Sequence, residues 1–397
     1  MMSHPSHDRS FLAILLIFLR LGLTSFGGPV AHLGYFRDEF VHRRRWLSED
    51  HYADLVALCQ FLPGPASSQV GLALGLSRAG FRGALAAWCG FTLPSALALI
   101  LVAYGVMSPA AQVPEGVVHG LKLVAVAVVI QALWGMGHHT CRGGRALTLM
   151  SLAAIAMLLA PSVWLQPLIL LLAAGAGLVL FKGTAAPTDA SLSLPVSRLT
   201  AVGLLALFIL LLVGLPLLAS MWQHPALSLI DLFYRSGSLV FGGGHVVLPL
   251  LQAETVLPGH ISEDLFLAGY GAAQAVPGPL FTLAAYLGTA MQQLPGWSGG
   301  LVALLAIFAP SFLLVGGALP FWQSLRRNTQ ARAALTGINA AVVGLLLAAL
   351  YTPVWTGTVT TPLDAAWVLL AWSALQVWRV PVWLLVPLSA LGGAVLL

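Results

Sequence analysis

Apolar runs long enough to cross a bilayer recur along the whole chain, and some of them are interrupted at glycine and proline. About 20 apolar residues make a membrane helix. The uninterrupted runs predict helices near 82–107, 116–138, 144–160, 163–182 and 199–221, then near 297–324, 332–351, 362–378 and 381–397. The interrupted runs are different. An apolar helix over 11–26 ends in Gly27-Gly28-Pro29 and a basic, amphipathic loop follows. A second apolar helix then runs into Pro63-Gly64-Pro65 and restarts at Ala66-Ser67-Ser68. In hydrocarbon every backbone N–H and C=O needs a partner, so such a break survives only where it is buried in protein or lines a polar cavity.

The interrupted stretch occurs twice. Arg20 matches Arg235, Gly22 matches Gly237, and Phe26-Gly27-Gly28 matches Phe241-Gly242-Gly243, at an offset of 215. After one deleted residue, Ser48-Glu49-Asp50 matches Ser262-Glu263-Asp264, Gln60 matches Gln274, and Pro63-Gly64-Pro65 matches Pro277-Gly278-Pro279. Pro94-Ser95 matches Pro310-Ser311, and Gly120 matches Gly337. One unit has been duplicated. The second copy has its own broken pair, over 226–242 and 263–291. The organisation read from this is a first transmembrane repeat at 1–182, a polar linker at 183–198, a connecting helix at 199–221 and a second repeat at 222–397.

Loop charge gives the relative orientation, because Lys and Arg stay on the cytoplasmic side. The loop with Arg37, Arg43, Arg44 and Arg45 has a counterpart, 244–262, without Lys or Arg. The loops with Arg78 and Arg82, and with Arg142 and Arg145, also have uncharged counterparts. The loop 108–118 carries no Lys or Arg, while its counterpart carries Arg326, Arg327 and Arg332. The repeats are therefore expected to be inverted. Inversion needs an odd number of crossings between equivalent points, and full crossing by 11–26 would give six. The expectation that restores parity is that the FGG segment, like the PGP segment, enters to mid-depth and returns. The fold class is an all-α polytopic membrane protein of two inverted repeats with broken, re-entrant helices.

Composition agrees. The chain is 59% hydrophobic and 8% charged, against about 25% charged in soluble domains. The net charge of +5 sits in loops and reads as topology, which argues against nucleic acid as a partner. The twelve tryptophans suit interface belts facing membrane lipid. Cys59, Cys89 and Cys141 form no CxxC, metal spacing or disulfide framework, so neither metal nor cofactor is expected. The N-terminus shows no small-residue cleavage site, and no removable signal peptide is read there.

The breaks carry the candidate chemistry. A helix restarting after Pro65 points free amides of Ala66, Ser67 and Ser68 outward, and its dipole favours an anion. The Ser67 and Ser68 hydroxyls and the Gln69 amide add neutral donors, suited to a dianion that must be released again. The simpler alternative is a kink capped by serines. The second copy lacks the serine pair, so the site is expected to be weighted toward the first half. Gly27, Gly28, Gly242 and Gly243 supply closely approached backbone, or else close helix packing. Gly64 and Gly278 permit the PGP turns, with Pro29, Pro63, Pro65, Pro277 and Pro279 as helix breakers. Gln60 and Gln274 flank the PGP breaks. Charges in apolar segments are costly and informative: Arg20 and Arg235 could offset oxyanion charge or bond carbonyls, and Lys122 could do so or snorkel. His32 and His245 could donate to the anion. His32, Glu39, Asp54 and Asp231 are coupling or gating candidates, with ion pairing as the alternative for the acids.

The paired motifs FGGPVAHLGYFRDEF, QFLPGP with SSQVG, and FGGGH with QAVPGP resemble the chromate ion transporter family in its long, two-halved form. The resemblance covers most of the chain and is strongest at 18–100 and 233–312. It implies export of chromate, a tetrahedral dianion, across the bacterial cytoplasmic (inner) membrane, conferring chromate resistance, with sulfate as a competitor; a homodimer is an option that neither the residues nor the resemblance decides. The residues alone reach an oxyanion. A sulfate transporter and a passive anion channel remain open. An intramembrane enzyme is disfavoured, because no nucleophile–base pair or HExxH site is found.

Overall fold

The computed structural model describes residues 10–108, 114–162, 164–182, 196–241 and 244–396. The polar linker lies almost wholly outside them, as do Gly242 and Gly243. The described residues are helical, with no strand among them. The first repeat contributes α1 (Phe11–Thr24), α2 (Gly28–Arg37, extended by a π-helical turn to Arg43), α3 (Glu49–Phe61), α4 (Ala66–Met107), α5 (Glu115–Thr140), α6 (Gly144–Leu159) and α7 (Leu165–Leu180). After α8 (Arg198–Trp222), the second repeat contributes α9 (Pro225–Ser238), α10 (Val247–Thr255), α11 (Glu263–Ala275), α12 (Leu283–Ala290), α13 (Trp297–Ala318), α14 (Trp322–Arg327), α15 (Thr329–Ala349), α16 (Pro362–Gln376) and α17 (Val382–Leu396). Equivalent caps start equivalent helices: Ser48 accepts from the His51 amide and Ser262 from the Leu265 amide.

The broken segments are hairpins. Phe18 on α1 stacks on Phe40 at 5.0 Å and meets Phe36 edge-on at 5.8 Å. A continuous helix would separate residues 18 and 40 by roughly 33 Å, so the chain reverses at the FGG break. Across the equivalent break, Arg235 on α9 pairs with Glu254 on α10. The PGP segment also turns back, since a Cβ on Gly269 of α11 would run into the Tyr286 ring of α12. Residues Ala79 and Gly80 leave helical geometry and divide α4 into a leg ending at Arg78 and a second leg. Between equivalent hairpins lie that second leg, α5, α6, α7 and α8. This odd count is what inversion requires. Helices α6 and α7 have 16 residues each, a rise of about 24 Å against a hydrocarbon core of about 30 Å. They are shorter than the spans expected over 144–160 and 163–182.

The two sequence repeats interlock. Helices α6 and α7 pack on α15 of the other repeat, while α16 and α17 pack on α5. Glycine makes both crossings close. A Cβ on Gly337 would sit 2.8 Å from the Cα of Gly177, and one on Gly393 would sit 3.0 Å from the Cα of Gly120. Gly120 and Gly337 are repeat equivalents, so one contact is used twice. Lipid gives apolar helices no hydrophobic reason to associate, and close backbone approach supplies the dispersion contact instead. Gly120→Leu should therefore lower the melting temperature of the purified protein in detergent by an overpacking cost of about 1–3 kcal/mol. Gly135→Leu should not, because nothing lies within 4 Å of a Cβ there.

Candidate functional site at the crossed helix breaks

Each PGP break is tied to the FGG break of the opposite repeat. The Gly64 N–H donates to the Val240 carbonyl at 2.7 Å, and the Gly278 N–H donates to the Ser25 carbonyl at 3.0 Å. Gly64 matches Gly278 and Ser25 matches Val240 in the repeat, so the two bonds are one bond generated twice. Each gives a backbone group freed by a break a partner across the repeat boundary. Both glycines have positive φ, +118° and +106°, where a side chain is strained. Each also faces a serine of the opposite half: a Cβ on Gly64 would lie 3.1 Å from Ser311 Oγ, and one on Gly278 would lie 2.8 Å from Ser95 Oγ.

The helix after Pro65 begins with amides that lack acceptors. Gln69 is the first to bond back, to the Pro65 carbonyl at 2.9 Å, which leaves Ala66, Ser67 and Ser68 as the open N–H groups of the first turn. The side chains there divide. The Gln69 amide nitrogen donates to the Pro63 carbonyl at 2.6 Å and so bridges the break. Ser67 Oγ lies 3.4 Å from His32 Nδ1, and His32 Nε2 lies 3.2 Å from the Ser25 carbonyl. A carbonyl can only accept, so that Nε2 carries the proton and Nδ1 accepts from Ser67. Ser68 Oγ is buried without a partner, as are Ser25 Oγ and Ser311 Oγ. After Pro279 the chain takes a tighter 3₁₀ turn over Leu280–Thr282, and Thr282 Oγ1 is spent on the Pro279 carbonyl at 2.7 Å.

A cavity of about 70 Å³ lies against the crossing, lined among others by Gly27, Gly28, Gln131, His245, Gln274 and Gly278. The Gln274 Nε2 is buried without a partner, and His245 Nδ1 lies 2.9 Å from the Tyr270 hydroxyl. This cavity joins the first FGG break to the second PGP break, whereas the sequence pointed to the first PGP break.

Other anticipated residues lie elsewhere. Arg20 and Gln60 are exposed and do not line the cavity at the crossing. Lys122 pairs with Asp264 at 2.6 Å in an outer cavity of about 760 Å³, beside the His119–Asp364 pair at 2.7 Å. Glu39 binds Arg43 and Arg44 at 2.9 and 2.6 Å. Asp54 accepts from Trp322 Nε1 at 2.9 Å. Asp231 pairs with Arg235 at 3.0 Å. In the basic loop, Arg37 clamps Glu49 through Nε and Nη2 at 2.9 and 3.0 Å. That guanidinium holds the Glu49 carboxyl below its ordinary range. Sequence reasoning passed over Ser25, Ser95, Ser311 and Tyr270. The matched Pro94-Ser95 and Pro310-Ser311 were the available signal for two of them.

The sequence model of the Chromate transporter family matches residues 12–179 and 227–395, one match per repeat. The chain belongs to the chromate transporter family. Chromate transporters of similar length include the chromate transport protein of Pseudomonas aeruginosa, 27% identical over 85% of this chain and 79% of that protein. The probable chromate transport protein of Synechococcus elongatus is 26% identical over 87% of this chain and 84% of its own. An uncharacterized transporter of Methanocaldococcus jannaschii is 25% identical over 86% and 84% of the respective chains. No solved structure matches. Membership of this family makes the chain a membrane transporter and not an enzyme.

Proposed function

We propose that the chain exports chromate across the bacterial cytoplasmic membrane as a secondary transporter, and that the anion is held where the two pairs of breaks cross. The observation that carries this is the reciprocal pair of amide bonds, Gly64 to Val240 and Gly278 to Ser25. Because each PGP break is bonded to the FGG break of the other repeat, the two breaks of a pair move as one unit, which suits alternating access around a fixed site. The first turn of α4 offers an unpaired dipole end of about half a positive charge. Ser68, Ser25 and Ser311 offer neutral hydroxyls with no competing protein partner. With Arg20 exposed and Lys122 paired, no guanidinium or ammonium from those positions cages the anion, which favours release. The names of the relatives supply chromate; the donor set alone suits any tetrahedral dianion, so sulfate should compete.

Everted membrane vesicles test this. Chromate uptake is expected to saturate and to fall when sulfate is added. Uptake that stays linear with concentration and ignores sulfate would identify a passive channel instead.

A further inference from the structure

We propose that Asp231, Arg235 and Glu254 form a proton-binding site that couples proton entry to anion export, an inference that rests on the transport reading above. The three side chains bridge the legs of the second FGG hairpin. Arg235 Nη2 donates to Asp231 Oδ2 at 3.0 Å and to Glu254 Oε2 at 3.1 Å. Its Nη1 lies 2.9 Å from Glu254 Oε1, out of line for a hydrogen bond, and its Nε has no partner. The guanidinium also sits 5.0 Å over the Trp164 ring. Asp231 and Glu254 are 8% and 9% exposed.

Two buried carboxylates share one guanidinium, so the fully ionised group carries a surplus negative charge away from water, where it is costly. Neighbouring elements do not balance it. Helix α13 has no titratable residue. Helix α8 meets α9 at Phe208, where the Tyr234 hydroxyl donates to the carbonyl at 3.1 Å, and its charge, Arg198, stands at the opposite end. Helix α7 has no charged side chain. Arg332 of α15 lies beside the Gly177 end of α7, whereas α10 meets the other end, where Gln166 donates to the Pro249 carbonyl at 3.0 Å. His245, on the turn before α10, faces Tyr270. One bound proton neutralises the group, leaving one carboxylate, one carboxylic acid and one guanidinium. Glu254 is the better carrier, because one of its two contacts to Arg235 is poorly aligned.

The repeat shows that this surplus is specific to one half. Leu16 stands at the position of Asp231 and is exposed, as is Arg20, the equivalent of Arg235. In the first half Glu39 meets two arginines, so the imbalance there has the opposite sign. The site lies in the hairpin whose outer loop, 244–262, lacks Lys and Arg, which places it on the path of a proton entering from outside. It joins the two legs that carry the second break. Protonation frees Arg235 from one carboxylate and loosens those legs, so the break that bonds Gly64 can shift. Proton release to the cytoplasmic side restores the pair.

Purified full-length protein in liposomes, with a pH-sensitive dye inside and chromate supplied outside, tests the coupling. For the native protein, chromate flux is expected to change the luminal pH. Glu254→Gln is expected to keep chromate exchange, lose the pH change and lose the dependence of flux on pH. Native flux without proton movement overturns the proposal, as does a Glu254→Gln variant that moves protons normally. If Glu254→Gln does not fold, Glu254→Asp decides: a displaced pH profile supports the site and an unchanged one overturns it. Absence of any chromate flux from the native protein overturns the transport reading itself, and this proposal with it.

Discussion

A Gly64→Ala, Gly278→Ala double variant should lose chromate flux while still inserting into the membrane. Both positions hold φ above +100°, and an L side chain there costs about 1–3 kcal/mol at each site. The new methyl groups also have no room. At Gly64 the Cβ would come 2.5 Å from Gln69 Nε2, displacing the amide that bonds the Pro63 carbonyl, and at Gly278 it would come 2.8 Å from Ser95 Oγ. The backbone would have to move by breaking the two amide bonds that join the repeats. Gly135→Ala is the control: it lies within α5, has no positive φ, and nothing lies within 4 Å of the added atom. That variant should retain most of the flux. Comparing flux with detergent melting temperatures for the three proteins separates loss of the site from loss of the fold.

A Ser67→Ala, Ser68→Ala variant should weaken chromate binding by about 1–3 kcal/mol, the cost of lost donors to a buried charge, or roughly 5- to 150-fold in affinity. Ser68 has a free hydroxyl. Ser67 contributes through His32, whose other ring nitrogen holds the Ser25 carbonyl. Thr282→Ala in the second repeat should change affinity little, because the Thr282 hydroxyl is already bonded to the Pro279 carbonyl. Equal losses in the two repeats would contradict the expected weighting toward the first half.

Much of this arrangement was legible in the chain, and the reasons are physical. The breaks stand out because proline and glycine are conspicuous against leucine and valine, and their recurrence at a fixed offset exposes the duplication. Loop arginines carry the inversion. The reversal at FGG followed from parity, and the Phe18–Phe40 stack supplies its geometry. The interlocking of α6 and α7 with α15 was not legible, since its contacts are small residues such as Gly177 and Gly337, and such residues are scattered through every apolar helix. The sequence separated Arg20 from Arg235 only in part, through Asp231, which stands four residues before Arg235 where Leu16 precedes Arg20. They are equivalent by alignment, yet one faces outward and the other is held by two acids. A glutamate follows each arginine by 19 residues, Glu39 and Glu254, yet Glu39 turns to Arg43 and Arg44, and no local pattern shows which partner each takes.

Whether the anion binds at the crossing is best settled by a structure of the protein determined with chromate bound. The account predicts density for a tetrahedral anion between the two pairs of breaks, against the first turn of α4 and within reach of Ser68. Density at the membrane surface beside Arg43, Arg44 and Arg45, with the crossing empty, would contradict it.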